Sequence, residues 1–215
     1  MKNSREKKYS HFLEFIYSSL RNKNLKDITV LDVGVNTTEH SPVDNYLEKH
    51  YPYLHNITAL SVTPLEDFSS NYPDVKFVQY DGTIFPFADK AFDFIHSNAV
   101  IEHVGDLEDQ KLFLHELIRV SNKGVFFTTP NRCFPVEMHT NILFLHYLPK
   151  HWFDRILHIL NKSWASGDYM NLLSENDLIK IINDIDVDKV EKTNISVIKE
   201  RLLGFSYQLI CMIKC

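Results

Sequence analysis

The chain has 215 residues, of which 44% are hydrophobic and 24% are charged, as in a soluble folded domain and unlike a disordered chain. Its formal net charge of −5 argues against a protein that binds nucleic acid through a broad basic surface. The three cysteines form no CxxC pair, and the most apolar stretch is interrupted by charged residues well before the ~20 apolar residues of a membrane span. We therefore expect a cytoplasmic chain with no targeting or transmembrane segment and no nucleic-acid partner.

The first half of the chain alternates between predicted strands and helices. A helix is indicated at 8–21, because Tyr9, Phe12, Ile16 and Leu20 recur at helical spacing. Apolar or β-branched runs that end at turn residues predict the strands, and capping residues or prolines predict where helices begin. The predicted strands are 28–34, 57–62, 75–80, 92–97 and 125–129, and the further predicted helices are 43–51, 63–72 and 106–123.

The pattern changes after Pro130. Residues 131–171 are rich in aromatic residues and histidine, and they predict helical pieces on both sides of Pro149. We interpret this segment as an insertion that covers one end of the sheet. The remaining predicted elements are a helix at 174–183, capped by Ser174, and two strands at 187–198 and 205–213 that form an antiparallel closing pair.

Strand–helix alternation with buried strands predicts an α/β fold. The sheet should be doubly wound and mostly parallel, with an antiparallel closing strand and a helical insertion after the fifth strand. We expect one domain over 1–215, with an N-terminal helix within 1–27 and an insertion at 131–172, which we call the cap.

The stretch FDFIHSNAVIEHV, residues 92–104, should hold the functional site. A buried strand stops at two residues that favour turns, Ser97 and Asn98, and the following AVIEHV ends in an acid and an imidazole. In open α/β sheets ligands bind at the carboxyl ends of the strands. Asn98, Glu102 and His103 are therefore candidates for chemistry, and the alternative is that Glu102 caps a helix and His103 packs in the core.

Five segments, in chain order, carry a resemblance to a known family. They are VLDVG (30–34), ITALSVTP (57–64), FVQYDG (77–82), PFADKAFDFIHSNAVIEHV (86–104) and GVFFTTPNR (124–132). The chain resembles a class I S-adenosylmethionine-dependent methyltransferase of the small-molecule, type 11-like branch. The resemblance implies a Rossmann-like sheet and S-adenosyl-L-methionine as cofactor.

The resemblance also implies roles for residues at the ends of the first and third strands. Asp32 and Gly34 resemble the cofactor loop, where glycine lets backbone approach the ligand and the acid orients the loop or the ligand's ammonium group. Asp81 resembles the carboxylate that receives the adenine amino group, and Gly82 leaves room for the ring.

Two further matches and one departure concern the same cofactor site. Asn98 and Ala99 resemble the residues that flank the methionine moiety. Ser61 aligns with the family's ribose-binding acid, although a hydroxyl is a weaker acceptor than a carboxylate. Either Glu66, Asp67 or the first loop substitutes for that acid, or cofactor affinity is low.

The implied reaction is methyl transfer to a small-molecule or glycan-precursor acceptor, at oxygen. His103 is the candidate base, because its ordinary pKa lies near working pH, and Glu102 is its neighbour. Arg132, Glu137 and His139 follow the fifth strand and could face the acceptor. A homodimer is left open.

The sequence bears on three alternatives. A non-catalytic binding or scaffolding relative is the alternative function, because Gly34 is the single glycine of its loop and Ser61 replaces an acid. Some relatives hold a metal with Glu-x-x-Glu-His, but here Ala99 replaces the first acid, and two ligands on one turn rarely suffice, so no metal is expected. A nicotinamide dehydrogenase is disfavoured because G-x-G-x-x-G is absent.

Overall fold

A twisted sheet organises the protein. The computed structural model describes residues 2–20, 24–64, 67–137, 140, 142–163, 170–185 and 195–215. Within them the strands are β1 Val30–Val33, β2 Ile57–Ser61, β3 Lys76–Gln79, β4 Phe92–Asn98, β5 Ser121–Pro130, β6 Val136–Glu137, β7 Ile142–Leu143, β8 Ile195–Leu202 and β9 Phe205–Lys214. The α-helices are α1 Lys2–Ser19, α2 Tyr46–His50, α3 Phe68–Asn71, α4 Leu107–Arg119, α5 Lys150–Ile159 and α6 Glu175–Asp184.

The described part of the chain forms a seven-stranded sheet in the order β3-β2-β1-β4-β5-β9-β8. Strands β1 to β5 pair in parallel, and β9 and β8 pair antiparallel, as the sequence predicts. The chain runs outward from β1 to β3 and then returns to β4 on the other side of β1. The carboxyl ends of β1 and β4 therefore form a topological switch point, where sheets of this type bind ligands.

Both faces of the sheet are covered, which explains why its central strands are mostly apolar. Successive side chains of a strand point to opposite faces. Accordingly, Leu31 belongs to a core that α4 and α6 cover, whereas Val30 belongs to a second core with Phe12 and Ile16 of α1. Burial on both faces is typical of parallel sheets and makes a doubly wound arrangement stable.

The longest predicted helix begins as expected but ends earlier. Asp106 caps α4, accepting hydrogen bonds from the amides of Glu108 and Asp109 at 2.8 and 3.2 Å. The predicted extension to residue 123 is wrong, because Ser121 already pairs with Phe92 of β4. This long-range pairing starts β5 four residues before its apolar run.

Several other boundaries shift for local reasons. Helix α1 begins at Lys2 instead of residue 8, since its first turns are polar and leave no apolar period to detect. Helix α2 begins only at Tyr46, after Asn45 in a left-handed conformation (φ 48°). Helix α3 is a single turn, and the rest of the predicted helix at 63–72 includes residues 65 and 66, outside the described part.

The cap and the last strands agree with prediction in part. Before Pro149 the described cap residues form the β6–β7 hairpin and a 3₁₀ turn, Leu145–Tyr147, instead of an α-helix, and α5 follows Pro149. Strand β8 starts at Ile195, and the first part of the predicted strand 187–198 lies outside the described residues. Among the helices that the structure describes, none has the length and apolarity needed to cross a membrane.

Candidate functional site

A cleft opens at the carboxyl ends of β1 and β4. It has two compartments that share Gly34, Val35, Asn36 and Ala99 on their walls. The large compartment, about 610 Å³, extends toward the ends of β2 and β3. The small compartment, about 160 Å³, lies beneath α1. Their combined size falls in the range of small-molecule sites, ~300–1,000 Å³.

Gly34 forms the junction between the compartments. Its amide donates to the Leu60 carbonyl at 2.8 Å, and its φ of +87° is one that only glycine adopts readily. A Cβ at this position would lie 2.3 Å from Cγ2 of Val100. The turn after β1 therefore requires glycine for conformation and for space.

The large compartment presents hydroxyl groups where the resemblance implies an acid. The Ser61 hydroxyl donates to the Val35 carbonyl at 3.3 Å and lies 2.8 Å from the Thr63 hydroxyl, which in turn is 3.1 Å from that of Thr37. No carboxylate is among the described residues on this wall. Of the proposed substitutes, Asp67 is not on the wall and Glu66 lies outside the described residues.

The end of β3 contributes backbone and ring surface to the large compartment. Tyr80 and Gly82, with φ +92°, lie on the wall. The Asp81 side chain is exposed, and its Oδ1 accepts hydrogen bonds from the amide and hydroxyl of Thr83 at 2.9 and 2.6 Å. These bonds from Thr83 lower the pKa of Asp81, so its carboxylate is ionised at neutral pH. The same bonds stabilise a turn beside the compartment.

The small compartment gathers charged groups of both signs. Helix α1 contributes Arg5 and Lys8, β1 contributes Asp32, and β4 contributes His96 and Asn98. Asp32 and His96 are register partners on adjacent strands, and the Oδ1 and Nδ1 atoms lie 2.7 Å apart. The Lys8 ammonium donates to Asn98 Oδ1 at 3.1 Å.

Burial shifts the pKa values of several ionisable groups in and beside this compartment. It raises the pKa of Asp32 to about 7 and lowers that of Lys8 to about 7. It also lowers the pKa of His96 to about 4, which leaves this imidazole neutral. Burial, and next the charge of Asp32, raises the pKa of Glu48 well above its usual range. A charged ligand group entering here would change the ionisation of the wall.

The turn after β4 connects the two compartments. Asn98 Oδ1 accepts from the Thr128 hydroxyl at 3.0 Å as well as from Lys8, so this side chain is held from both sides. Ala99 has a left-handed φ of +57°, and its amide donates to the Thr128 carbonyl at 2.9 Å. Such a conformation costs about 1–2 kcal/mol in an L-residue, and strain of this kind is characteristic of functional sites.

The two predicted catalytic residues point to different places. They follow Ala99 on the 3₁₀ turn Ile101–His103. His103 lies on the wall of the large compartment. Glu102 is fully buried, and its Oε2 accepts from the Thr129 hydroxyl at 3.1 Å. The geometry therefore offers His103 to a ligand and places the Glu102 carboxylate behind the wall.

Among the charged or imidazole side chains on the wall of the small compartment, sequence reasoning missed Arg5, Lys8, Asp44 and His96. His96 had a detectable signal, because it is an ionisable residue inside a strand predicted to be buried. The other three had none, since their positions depend on how α1 and the turn before α2 pack over the sheet edge.

The remaining candidates follow β5. Arg132 lies on a further cavity beneath the cap. The Glu137 side chain and His139 lie outside the described residues. Within the described residues no three His, Cys, Asp or Glu side chains are grouped to hold a metal ion.

Comparisons with known proteins identify relatives of this fold. Residues 31–128 match the family model described as a methyltransferase domain. No curated protein sequence matches the chain significantly.

Three similar solved structures cover nearly the whole chain. An S-adenosylmethionine-dependent methyltransferase from Aquifex aeolicus is 17% identical with a TM-score of 0.55, over 96% of this chain and 88% of its own. A putative sarcosine dimethylglycine methyltransferase from Galdieria sulphuraria is 12% identical with a TM-score of 0.59, over 99% and 85%. Magnesium protoporphyrin IX methyltransferase from Synechocystis PCC 6803, solved with S-adenosylhomocysteine, is 13% identical with a TM-score of 0.55, over 98% and 83%. At these identities the likeness concerns the fold.

Proposed function

We propose that this chain, which belongs to the class I S-adenosylmethionine-dependent methyltransferases through its domain at residues 31–128, methylates an oxygen of a small-molecule or glycan-precursor acceptor. The observation that carries the proposal is the cleft itself. A large compartment lined by hydroxyl groups and Tyr80 meets a small compartment with both signs of charge at Gly34, where a Cβ would clash with Val100. A nucleoside joined to a zwitterionic amino-acid tail has this division of chemistry.

The residues on the walls suit the two parts of S-adenosylmethionine. Tyr80 and Gly82 offer a ring face and open space to the adenine, with the exposed Asp81 beside them. In the small compartment Asp32 suits the ammonium of the tail, and Lys8 with Arg5 suits its carboxylate. Binding of opposite charges restores ionisation that burial disfavours in the free protein.

Ser61 in place of an acid changes the hydrogen bonds that the ribose can form, but it does not prevent cofactor binding. With Thr37 and Thr63 it forms a chain of hydroxyls that can exchange hydrogen bonds with a ribose diol. Neutral pairs of this kind are weaker than those to a carboxylate. We therefore assign most of the polar binding energy to the tail.

When bound, S-adenosylmethionine supplies a methyl group on a sulfonium; transfer moves that methyl from sulfur to the acceptor oxygen, leaves a neutral thioether and releases the hydroxyl proton. The chain's part is to align the acceptor in a site without water, which can contribute ~7–11 kcal/mol. The strained turn at Ala99 and the doubly held Asn98 fix the wall on which this alignment depends.

His103 is the proposed base for the hydroxyl proton. It lies on the wall of the large compartment, immediately after the turn that contains Ala99. We infer that Glu102 is a positioning residue, because its carboxylate holds the 3₁₀ turn against β5 through Thr129. A base of this kind contributes ~100–10,000-fold to rate.

The test combines cofactor binding with turnover. Calorimetry with S-adenosylhomocysteine should detect binding, and a metabolite screen that measures release of S-adenosylhomocysteine should identify the acceptor. His103→Ala should then lower turnover by ~100-fold or more while cofactor affinity stays nearly unchanged. His115→Ala, at a half-exposed histidine of α4, is the matched control and should leave both unchanged. Full turnover in His103→Ala would remove His103 from the mechanism, and absence of binding would remove the proposed function.

A further inference from the structure

A third cavity, the cap cavity, lies between the start of α4, the end of β5 and the cap, and has a volume of about 590 Å³. It is adjacent to the cofactor cleft along the chain. His103 and Val104 line the large compartment, whereas Asp106 and Leu107 line the cap cavity. Residues of one short segment therefore line both cavities, so the cavities are neighbours.

Arg132 is the unused charge of the cap cavity. Its backbone is held at both polar atoms: the amide donates to the Leu173 carbonyl at 3.0 Å, and the carbonyl accepts from Nε2 of His146 at 2.8 Å. Its guanidinium makes no hydrogen bond or ion pair with any residue that the structure describes. A guanidinium at a cavity wall that no described side chain engages, on a fixed backbone, is suited to a carboxylate or phosphate, which arginine binds with two parallel hydrogen bonds.

Two carboxylates near Arg132 in the described part of the chain, Asp106 and Asp177, are already engaged. Asp106 Oδ1 accepts the two amide hydrogen bonds of the α4 cap. Asp177 Oδ2 accepts from the Ser174 amide and hydroxyl at 2.9 and 2.7 Å. The Ser174 hydrogen bonds lower the pKa of Asp177, and the charge of Arg132 lowers it further. The Arg132 guanidinium is therefore near enough to stabilise the Asp177 carboxylate electrostatically, although the two form no ion pair.

The mouth of the cap cavity is apolar and open. Leu107, Tyr147 and Leu148 are 48%, 49% and 42% exposed and line the same cavity as the nearly buried Phe153. The Tyr147 hydroxyl, like the guanidinium, has no hydrogen-bond partner among the described residues. Clustered exposed apolar side chains around a cavity mark a binding surface, and these require a ligand with an apolar part.

We propose that the cap cavity binds the methyl acceptor and that this acceptor is an anionic amphiphile, a molecule that joins a carboxylate or phosphate to an apolar chain or ring. Arg132 binds the anionic group, and Tyr147 and Leu148 cover the apolar part. This inference rests on the proposed function, because it assigns the substrate class of the same reaction.

The experiment measures binding of simple amphiphiles to the full chain saturated with S-adenosylhomocysteine. The probes are octyl phosphate and octanoate, with 1-octanol and octyltrimethylammonium as neutral and cationic probes of equal chain length. Both anionic probes should bind at least ~10-fold more tightly than the other two, since a charge-assisted pair adds at least that factor. Preference for octyl phosphate over octanoate would indicate a phosphate acceptor, and the reverse order a carboxylate. Equal binding of 1-octanol would overturn the proposal.

Variants locate the site. Arg132→Gln should weaken octyl phosphate by ~10-fold or more, and Arg132→Lys should restore part of the affinity. Arg201→Gln, at an exposed arginine of β8, is the matched control and should bind like the unaltered chain. Unchanged binding in Arg132→Gln would contradict the proposal.

Leu148→Ser should weaken octyl phosphate more than butyl phosphate, because the longer chain buries more apolar surface on binding. S-adenosylhomocysteine binding is measured on every variant. An unaltered chain that binds S-adenosylhomocysteine but neither anionic probe refutes this inference alone, whereas an unaltered chain that does not bind S-adenosylhomocysteine refutes the proposed function.

Discussion

The two compartments of the cleft differ in charge more than in any other property. The large compartment has, among its described residues, no carboxylate, and its second strand ends in the hydroxyl of Ser61. The small compartment has about a quarter of the volume and gathers Arg5, Lys8, Asp32 and His96. If the proposed cofactor occupies both compartments, its charged tail meets charged side chains and its ribose meets neutral hydroxyls.

The difference in charge determines which part of the ligand should contribute most to the binding free energy. A buried charged group loses hydration, and an incoming opposite charge compensates that loss more strongly than a neutral partner does. The tail end of the ligand should therefore dominate affinity, and the ribose end should contribute less than it does where a carboxylate is present.

The largest expected effect comes from the junction that both compartments share. Gly34→Ala places a Cβ 2.3 Å from Cγ2 of Val100, whereas Gly204→Ala has the same φ of +87° and nothing within 4 Å. Both variants carry conformational strain of about 1–2 kcal/mol, and only the first adds a clash. We expect Gly34→Ala to lose S-adenosylhomocysteine binding by more than ~100-fold and Gly204→Ala to keep it, measured by calorimetry. Equal affinities in the two variants would show that the junction is not part of the site.

Ligands with and without an amino-acid tail should distinguish the contributions of the two compartments to binding. 5′-Methylthioadenosine lacks the amino-acid tail and should bind ~100-fold more weakly than S-adenosylhomocysteine, because it forgoes two charged pairs. Asp32→Asn should weaken only the ligand with a tail, by ~10-fold, and Asp27→Asn at an exposed site should change neither. If both ligands bind equally well, the small compartment does not hold the tail.

The protonation of Lys8 should make the free energy of unfolding depend on pH. Its folded pKa is about 7, because of burial and then the charge of Arg5, with Glu200 and Glu102 opposing the shift. The unfolded chain keeps this proton up to a pKa of ~10.4, so between about pH 7 and 10 it binds more protons than the folded chain. The free energy of unfolding should therefore rise with pH in this window, by up to about 1.4 kcal/mol per pH unit.

Lys8→Met should remove this slope and raise the free energy of unfolding at pH 7, measured by urea titration. In the variant Asn98 Oδ1 still accepts the hydrogen bond from Thr128, so this acceptor is not left without a donor. Lys26→Met at an exposed lysine should retain the slope. A slope that persists in Lys8→Met would show that Lys8 is not the titrating group.

The smallest effect tests the large compartment directly. Ser61→Asp restores a carboxylate at the end of β2 and should raise affinity for S-adenosylhomocysteine by ~3–10-fold, the value of one stronger hydrogen bond. Ser70→Asp adds the same charge at an exposed position of α3 and should have no effect. Lower affinity at an unchanged melting temperature would mean that the ribose does not lie beside Ser61.

The sequence predicted those parts of the fold that depend on local signals. Buried apolar runs gave β1, β2 and β4, and Asp106 gave the start of α4. The start of β5 was missed because Ser121 becomes a strand residue only by pairing with Phe92. A pattern of local residues carries no information on that pairing.

Part of the candidate cleft could be predicted from the sequence for the same reason. Gly34, Ser61 and His103 lie on the cleft because each follows or ends a strand that the sequence shows. The different directions of Glu102 and His103 depend on a 3₁₀ turn, which their order in the chain does not reveal. Lys8 belongs to the site only because α1 lies across the sheet edge, a contact between distant parts of the chain.

The central claim is that one ligand fills both compartments across Gly34. A crystal structure of the chain with S-adenosylhomocysteine tests it most directly. We expect the adenosine between Tyr80 and the Ser61 hydroxyl, and the amino-acid tail beneath α1 between Asp32 and Lys8. A ligand bound elsewhere, or a tail that points away from α1 into solvent, would contradict the account.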